Sequence, residues 1–210
     1  MNHEEYIEYL KKKVHDKFFS SASESKANER YIHSLGVSKV AGTLASIYKP
    51  GDESFKEKCE IAGILHDYGK FLNRDDYYIL TKRHHIDFEY NDDYRLVYHG
   101  YYGYLAVSDD LGIHDKEILN AIKNHIMGAQ VMTLIEEIIY VGDLIEENRN
   151  VKDIPIVEEL RDLAFNGKLK AAVALESQHT IMHLSEKMIP INPLSLDCYN
   201  GYIKYLKEEN

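Results

Sequence analysis

The chain has 210 residues, of which 44 % are hydrophobic and 29 % charged, and its formal net charge is −10 at pH 7. That length is enough for one well-buried core, and the composition excludes a disordered chain. The negative balance argues against coating nucleic acid or an anionic membrane, although a local cluster of cations could still hold a small anionic substrate.

Residues 6–19 repeat apolar side chains at Ile7, Leu10, Val14 and Phe18, the spacing of an amphipathic helix, with a basic patch at Lys11, Lys12 and Lys13. A small-residue link over 20–27 precedes a helix over 28–48, whose inward stripe reads His33, Val37, Val40, Leu44 and Ile47. Lys49-Pro50-Gly51 breaks that helix. The next one, over 54–68, carries the stretch IAGILHDYGK, and Gly69 is expected to close it in the left-handed conformation. Residues 73–93 are polar and tyrosine-rich, with a helix near 76–83 and a loose connection after it. A helix over 94–109 then places Leu96, His99, Gly103 and Ala106 on one face, and Gly112 ends it. Asp115 caps a helix with the stripe Ile118, Ala121, Ile122 and His125, closed by Gly128. Thr133-x-x-Glu136 is a capping box, opening a helix with Ile135, Ile139, Gly142, Asp143 and Glu146 inward. Helices near 156–165, 169–187 and 196–206 follow, separated by Gly167 and by the stretch from Pro190 to Pro193. No segment alternates with period two, so the expectation is an all-α fold in one domain, without repeats. Cys59 and Cys198 stand apart in unrelated contexts, Met1 leads into acidic residues without a signal-peptide pattern, and no apolar run approaches the roughly 20 residues of a membrane span. A cytoplasmic protein is expected.

His66 and Asp67 stand side by side at the end of an apolar run. A buried carboxylate is costly without a cation or several donors, and a divalent metal lodged between the two side chains would satisfy it. Taken alone, the pair is also what a solvated helix end would show. The wider pattern is harder to dismiss. His33, His66, Asp67, His99, His125 and Asp143 each lie on the apolar stripe of a separate helix, apart from the adjacent pair. One core histidine is ordinary; four of them joined by two aspartates point to a metal centre. Imidazole and carboxylate suit iron, manganese or zinc, and the lack of cysteine ligands argues against structural zinc. Six ligands are too many for one catalytic ion that keeps an open position, and about right for two with Asp67 bridging. His3, His15, His84, His85, His114, His179 and His183 lack this combination, and most of them are expected at the surface.

Lys70, one turn beyond Asp67, could meet a phosphate or simply be solvated at a helix end. Arg149 has a fork that suits phosphate, or it could pair with Glu146 or Glu147. Glu146, three residues after Asp143, could orient a ligand or accept a proton, and orienting is the preferred role. No Gly-x-Ser-x-Gly elbow or Walker-type loop is present, so neither a serine nucleophile nor ATP-driven work is expected.

A histidine, then His-Asp some thirty residues later, then a distant Asp on a helix resembles the signature of the HD-domain metal-dependent phosphohydrolases. RYIHSLGV, AGILHDYGK, His99-Gly100, AIKNHIMG, MTLIEEIIYVGDLIEENR and INPLSLDCYN, spread from Arg30 to Asn200, narrow the resemblance to the YqeK family. It implies an all-α HD-domain helical bundle and a binuclear iron centre, with manganese as the alternative metal. The implied activity is symmetrical hydrolysis of diadenosine tetraphosphate to two ADP by a two-metal-activated water. His33, His66, Asp67, His99, His125 and Asp143 would be the metal ligands. Asp67, Lys70, Glu146 and Arg149 are the candidate catalytic residues. The nucleotide would lie against His33, Asp67, Lys70, His125, Asp143, Leu144, Arg149 and the loop Pro190, Ile191, Asn192, Pro193, Leu194 and Ser195. The chain departs from the family at Gly142, at Glu147-Asn148 and at Leu194, which touches loop contacts and leaves the ligand set intact. Residues 1–27 form an N-terminal helical extension outside the resemblance, and 28–210 the phosphohydrolase. Another HD phosphohydrolase activity on mononucleotides is the competing expectation, and a nucleotide sensor without catalysis is a third. Nucleotide is the expected partner, with no nucleic acid and no membrane; a homodimer is left open.

Overall fold

In the computed structural model, which describes residues 2–149 and 154–207, helix α1 (His3–Ser21) starts where the Asn2 side chain accepts from the Glu5 N–H. Its stripe of Ile7, Leu10, Val14 and Phe18 is buried against α2 and α3. The link expected over 20–27 is far shorter, because α2 (Glu24–Tyr48) begins at Glu24 and turns Ala27 fully into the core. His33, Val37, Val40 and Leu44 face inward along α2, as the spacing requires. Ile47 does not: it is 39 % exposed, since the buried face has drifted to Ala41 and Ala45 by the last turn.

Asp52 caps α3 (Glu53–Leu65), which packs along α2. The approach is close at Gly63, where an added Cβ would stand 2.7 Å from the Ser38 Cα. Ser38 also donates its hydroxyl to the Glu60 carbonyl at 2.9 Å. Helix α3 stops at Leu65, and residues 66–71 continue as tight turns through Tyr68 N–H to Leu65 O and Lys70 N–H to Asp67 O. Gly69 is not left-handed, contrary to expectation. Its lack of a side chain serves packing instead, as a Cβ there would lie 2.7 Å from the Gly103 Cα.

Asn73 caps α4 (Arg74–Arg83). The single helix expected over 94–109 is three pieces: a 3₁₀ turn at Asp92–Val97, then α5 (Tyr98–Tyr101) and α6 (Gly103–Leu111). The break at Tyr102 lets both His99 and Gly103 be buried. The tighter 3₁₀ turn cannot hold a 3.6-residue stripe, which leaves Leu96 69 % exposed. Gly112 closes its helix in the left-handed region at φ +66°; Gly128 is left-handed too, at +65°, but stands beyond the His125 that caps its helix, contrary to expectation.

Asp115 caps α7 (Lys116–Asn124), and α8 (Leu134–Ile145) opens with the Glu136 carboxylate accepting from the Thr133 N–H and hydroxyl. Asn124 donates to the same carboxylate at 2.6 Å, tying the end of α7 to the start of α8. Helix α8 is the most enclosed element, in contact with α2, α3, α7 and the later α9 (Ile156–Phe165) and α10 (Leu169–Glu186). Helix α11 (Pro193–Tyr202) begins three residues earlier than expected, because Asn192 caps it and proline is well suited to a first helical position. Pro193, Leu194 and Ser195 are thus a helix turn and not loop. The helix expected to run to 206 is interrupted at Ile203 before α12 (Lys204–Lys207). Every regular element among the described residues is helical, and no helix is long and apolar enough to cross a membrane.

Candidate functional site

Helix ends create the first anchors of the site. His66 and His125 stand just past α3 and α7, where the last carbonyls of a helix lack internal partners. The His66 Nδ1–H donates to the Gly63 carbonyl at 2.8 Å, and the His125 Nδ1–H donates to the Ile122 carbonyl at 2.7 Å. Because a carbonyl can only accept, the proton of each ring in its neutral form sits on Nδ1 and Nε2 is the free lone pair.

His33, from the middle of α2, brings its Nε2 to 3.1 Å from the His66 Nε2 and 2.9 Å from the Asp143 Oδ1. The two oxygens of Asp67 address different histidines. Oδ2 lies 3.4 Å from His66 Nε2 and 3.9 Å from His33 Nε2. Oδ1 lies 3.0 Å from His99 Nε2 and 3.8 Å from His125 Nε2. Three overlapping sets have ligand atoms within 4.8 Å of one another: His33, His66 and Asp67; His66, His125 and Asp143; Asp67, His99 and His125. The structure therefore gathers all six inward residues into one cluster.

This cluster fits a divalent metal on two observations. Asp67 Oδ1 and His125 Nε2 are buried without a hydrogen-bond partner, and an uncompensated buried polar atom is costly. The donors are imidazole nitrogens and carboxylate oxygens, a set suited to iron, manganese or zinc. Protonation states agree. Burial, then the charges of His66 and His99, push His125 down to about 3. Burial also lowers His99, against the pull of Asp67. Burial alone would raise Asp67, but the charges of His66 and Lys70 outweigh it and hold the carboxyl well below its usual range. Asp143 is likewise held low, with desolvation outweighed by its bond to His33 and the charge of His66. Burial would lower His33, but its bonds to Asp143 and Glu146 outweigh it and raise the ring, so the imidazoles held neutral beside the ionised carboxylates are those of His99 and His125.

Lys70, 3.6 Å from Asp67 Oδ1 and 2.9 Å from His99 Nε2, belongs to the cluster. Arg149 donates to Asp143 Oδ1 at 3.0 Å, and this is its ion pair in place of the Glu146 or Glu147 pairing considered from sequence. Glu147 pairs with Lys39, while Glu146 is buried with its Oε1 3.3 Å from the His33 Nδ1. Asn148 donates to Glu146 Oε2 through both its backbone and its amide, at 2.7 and 2.9 Å. Arg161 of α9 caps the carbonyls of Ile145 and Glu146. Leu144 is half-buried against the core. Asn192 and Leu194 line a cleft with Met127 and the tyrosines around His99; Ser195 is buried, Pro190 and Pro193 are exposed, and Ile191 is half-buried. Of the other histidines, His3 meets Glu60, His84 meets Asp109 and His114 meets Ser108.

Two residues escaped the sequence reading. Arg30 donates to Asp67 Oδ2 at 2.7 Å; it sits three residues before His33, on the same helix face, which is the signal that could have found it. Glu176, on α10, is buried with its Oε2 unpartnered, and no local pattern betrays it.

With this geometry in view, comparison with known proteins gives a consistent result. The model of the HD domain matches residues 30–197. The chain belongs to the HD-domain family. It is 35 % identical to a Staphylococcus aureus protein named "Bis(5'-nucleosyl)-tetraphosphatase, symmetrical", over 86 % of this chain and 90 % of that one. A Bacillus subtilis protein of the same name is also 35 % identical, over 83 % of this chain and 89 % of its own. Among solved structures, a predicted HD superfamily hydrolase involved in NAD metabolism from Clostridium acetobutylicum superposes with a TM-score of 0.76. That protein is 32 % identical, and the match covers 92 % of this chain and 96 % of the other.

Proposed function

We propose that this chain is a metal-dependent phosphohydrolase that cleaves diadenosine tetraphosphate symmetrically into two molecules of ADP. The observation that carries the proposal is the Asp67 carboxylate, whose two oxygens address separate histidines within a cluster that also holds Arg30, Lys70 and Arg149. The tetraphosphatase names of the relatives support the substrate. In this reading His33, His66, Asp67 and Asp143 hold one divalent ion, and Asp67, His99 and His125 hold a second. Iron is the preferred metal and manganese the alternative. Bound there, such ions supply an activated water and neutralise charge on the reacting phosphoryl oxygens.

The chain's own residues position the substrate. Arg149 presents a planar fork to phosphate, and Lys70 and Arg30 add point and fork charges beside it. Glu146, itself fixed by Asn148, holds His33 in orientation through Nδ1. Leu144 and the stretch from Pro190 to Ser195 border the nucleotide. Helix α1, in the N-terminal extension, braces the catalytic unit through Leu10, Val14 and Phe18, which are fully buried. Two buried free thiols, Cys59 and Cys198, support a cytoplasmic setting.

Chromatography of products from diadenosine tetraphosphate tests the proposal. Metal-loaded protein is expected to yield ADP alone, and chelated protein nothing. ATP with AMP would mean off-centre attack. Turnover of mononucleotides without cleavage of the dinucleotide would hand the function to a mononucleotide phosphohydrolase.

A further inference from the structure

Among the histidines and aspartates of the cluster, His99 belongs to the element least able to hold it. His33 stands in the middle of the 25-residue α2, and His66, His125 and Asp143 lie on or just beyond helices of 13, 9 and 12 residues. His99 belongs to α5, a single turn of four residues whose N-cap makes no side-chain hydrogen bond. One turn has no stability of its own, because nucleating a helix fixes several residues for one hydrogen bond. Yet the His99 Nε2 is held 3.0 Å from the Asp67 Oδ1, and the two share a ligand set with His125.

Tyr77 of α4 joins the two segments. Its hydroxyl donates to the Gly69 carbonyl at 3.1 Å, a buried bond that reaches from α4 into the turn carrying Asp67 and Lys70. The same carbonyl accepts from the Leu72 N–H at 3.1 Å, and the Lys70 N–H donates to the Asp67 carbonyl at 2.8 Å, so the turn is closed on both sides of Gly69. Gly69 in turn lies against the His99 segment: a Cβ on it would stand 3.2 Å from the His99 carbonyl oxygen.

The Tyr77 ring reaches the two ends of α5. It meets Tyr98, the first residue of that turn, edge-on at 5.8 Å, and lies 6.4 Å from Tyr102, the residue that caps it. These are the separations of attractive aromatic pairs. Tyr98 is itself tied down, since its hydroxyl accepts from the Asn91 N–H at 2.7 Å and donates to the Asn91 carbonyl at 3.1 Å. Tyr77 is buried and its hydroxyl is engaged at Gly69, so its effect on the cluster passes through Gly69 and the two tyrosines. His33, His66 and Asp143 come instead from α2, the end of α3 and α8, which pack directly on one another. A change at Tyr77 therefore reaches the Asp67–His99 half of the cluster first.

We propose that Tyr77 is a positioning residue for the second ion: through its hydroxyl on Gly69 and its ring on Tyr98 and Tyr102, it fixes the separation of Asp67 and His99. The role rests on the two-ion functional reading above, and the experiment separates the two.

Chelated full-length wild type, Tyr77→Phe and Phe88→Leu are titrated with Mn²⁺, with free Mn²⁺ read by electron paramagnetic resonance. Melting temperatures and wild-type turnover of diadenosine tetraphosphate are measured alongside. Tyr77→Phe keeps the ring and removes only the bond to Gly69. Phe88→Leu loosens the same aromatic group, where Phe88 meets Tyr77, Tyr98 and Tyr102, and leaves that bond in place. Wild type is expected to bind two ions. Tyr77→Phe is expected to hold the first as tightly and the second about 10- to 100-fold more weakly, the range for loss of an outer partner of a metal ligand. Phe88→Leu is expected to melt lower and to bind both ions as the wild type does. Unchanged affinity for the second ion in Tyr77→Phe would overturn the role. So would an equal loss for both ions, or a matching loss in Phe88→Leu, either of which marks general loosening. A wild type that binds two ions without cleaving the dinucleotide, while Tyr77→Phe selectively loses the second, would overturn the proposed activity and leave the role of Tyr77 standing. A wild type that binds one ion alone would overturn the two-ion reading and the role with it.

Discussion

Asp67 Oδ1 stands 3.0 Å from His99 Nε2 and accepts no hydrogen bond, although it is buried. An ionised oxygen in that position needs a cation, and the remaining oxygen of the same carboxylate faces His66 and His33. Asp67 is therefore the residue on which both halves of the cluster depend. Asp67→Ala should reduce metal affinity by more than the roughly 10–100-fold that loss of an outer hydrogen-bond partner costs. Elemental analysis after gel filtration checks this. Wild type should retain close to two ions per chain and the variant well under one.

Chelation should destabilise the wild type. A ligand that binds only the folded chain adds about 3–4 kcal/mol at 100- to 1,000-fold saturation, which for a chain of this size lowers the melting temperature on the order of 10 °C when removed. A thermal melt before and after verified metal removal measures it, and readdition of Fe²⁺ or Mn²⁺ should restore the loss.

Arg149→Ala should lower kcat/KM for the dinucleotide by about 10²-fold while leaving metal content near the wild-type value, because a fork that stabilises developing phosphoryl charge acts on the transition state. Steady-state kinetics and metal analysis on one preparation check both halves of that statement.

Glu176 sets a pH signature in the metal-free protein. Burial, reinforced by the charge of Asp143, lifts its carboxyl well above the ordinary 4.5, so the folded chain holds a proton that the unfolded chain releases. Its contribution is fully present below 4.5 and is lost as pH rises toward the folded value. Glu176→Gln removes that loss. The variant should be more stable than the wild type near pH 8, because it has no proton to lose, and the advantage should disappear below pH 4.5. Melting curves across pH read this directly.

Gly69→Ala should cost about 1–3 kcal/mol, since the new methyl meets the Gly103 backbone at 2.7 Å and overpacking forces the two segments apart. A denaturant titration compares it with wild type.

Much of this architecture is legible in the sequence because helices with one apolar face announce themselves by spacing. The stripes through Val14, Leu44, Ile122 and Ile139 all face the core, and the polar residues interrupting those stripes converge in space. What is not legible depends on contacts between segments. Leu96 fits a helical stripe, but a 3₁₀ turn rotates it outward. Gly69 looks like a helix terminator, yet its reason for being small is Gly103, thirty-four residues away in the chain. Pro193 reads as a breaker and is a helix start, because Asn192 supplies the cap. Arg30 resembles any charged residue of an exposed helix turn until Asp67 is placed beside it.

The central claim, symmetrical hydrolysis by water at the His/Asp cluster, is tested most directly by running the reaction with diadenosine tetraphosphate in ¹⁸O-labelled water and reading the products by mass spectrometry. Attack at a central phosphorus breaks the middle anhydride and delivers the water oxygen to the terminal phosphate of one of the two products. The account predicts ADP alone, half of it carrying a single ¹⁸O on its terminal phosphate. ATP and AMP among the initial products, with the label on either, would contradict it.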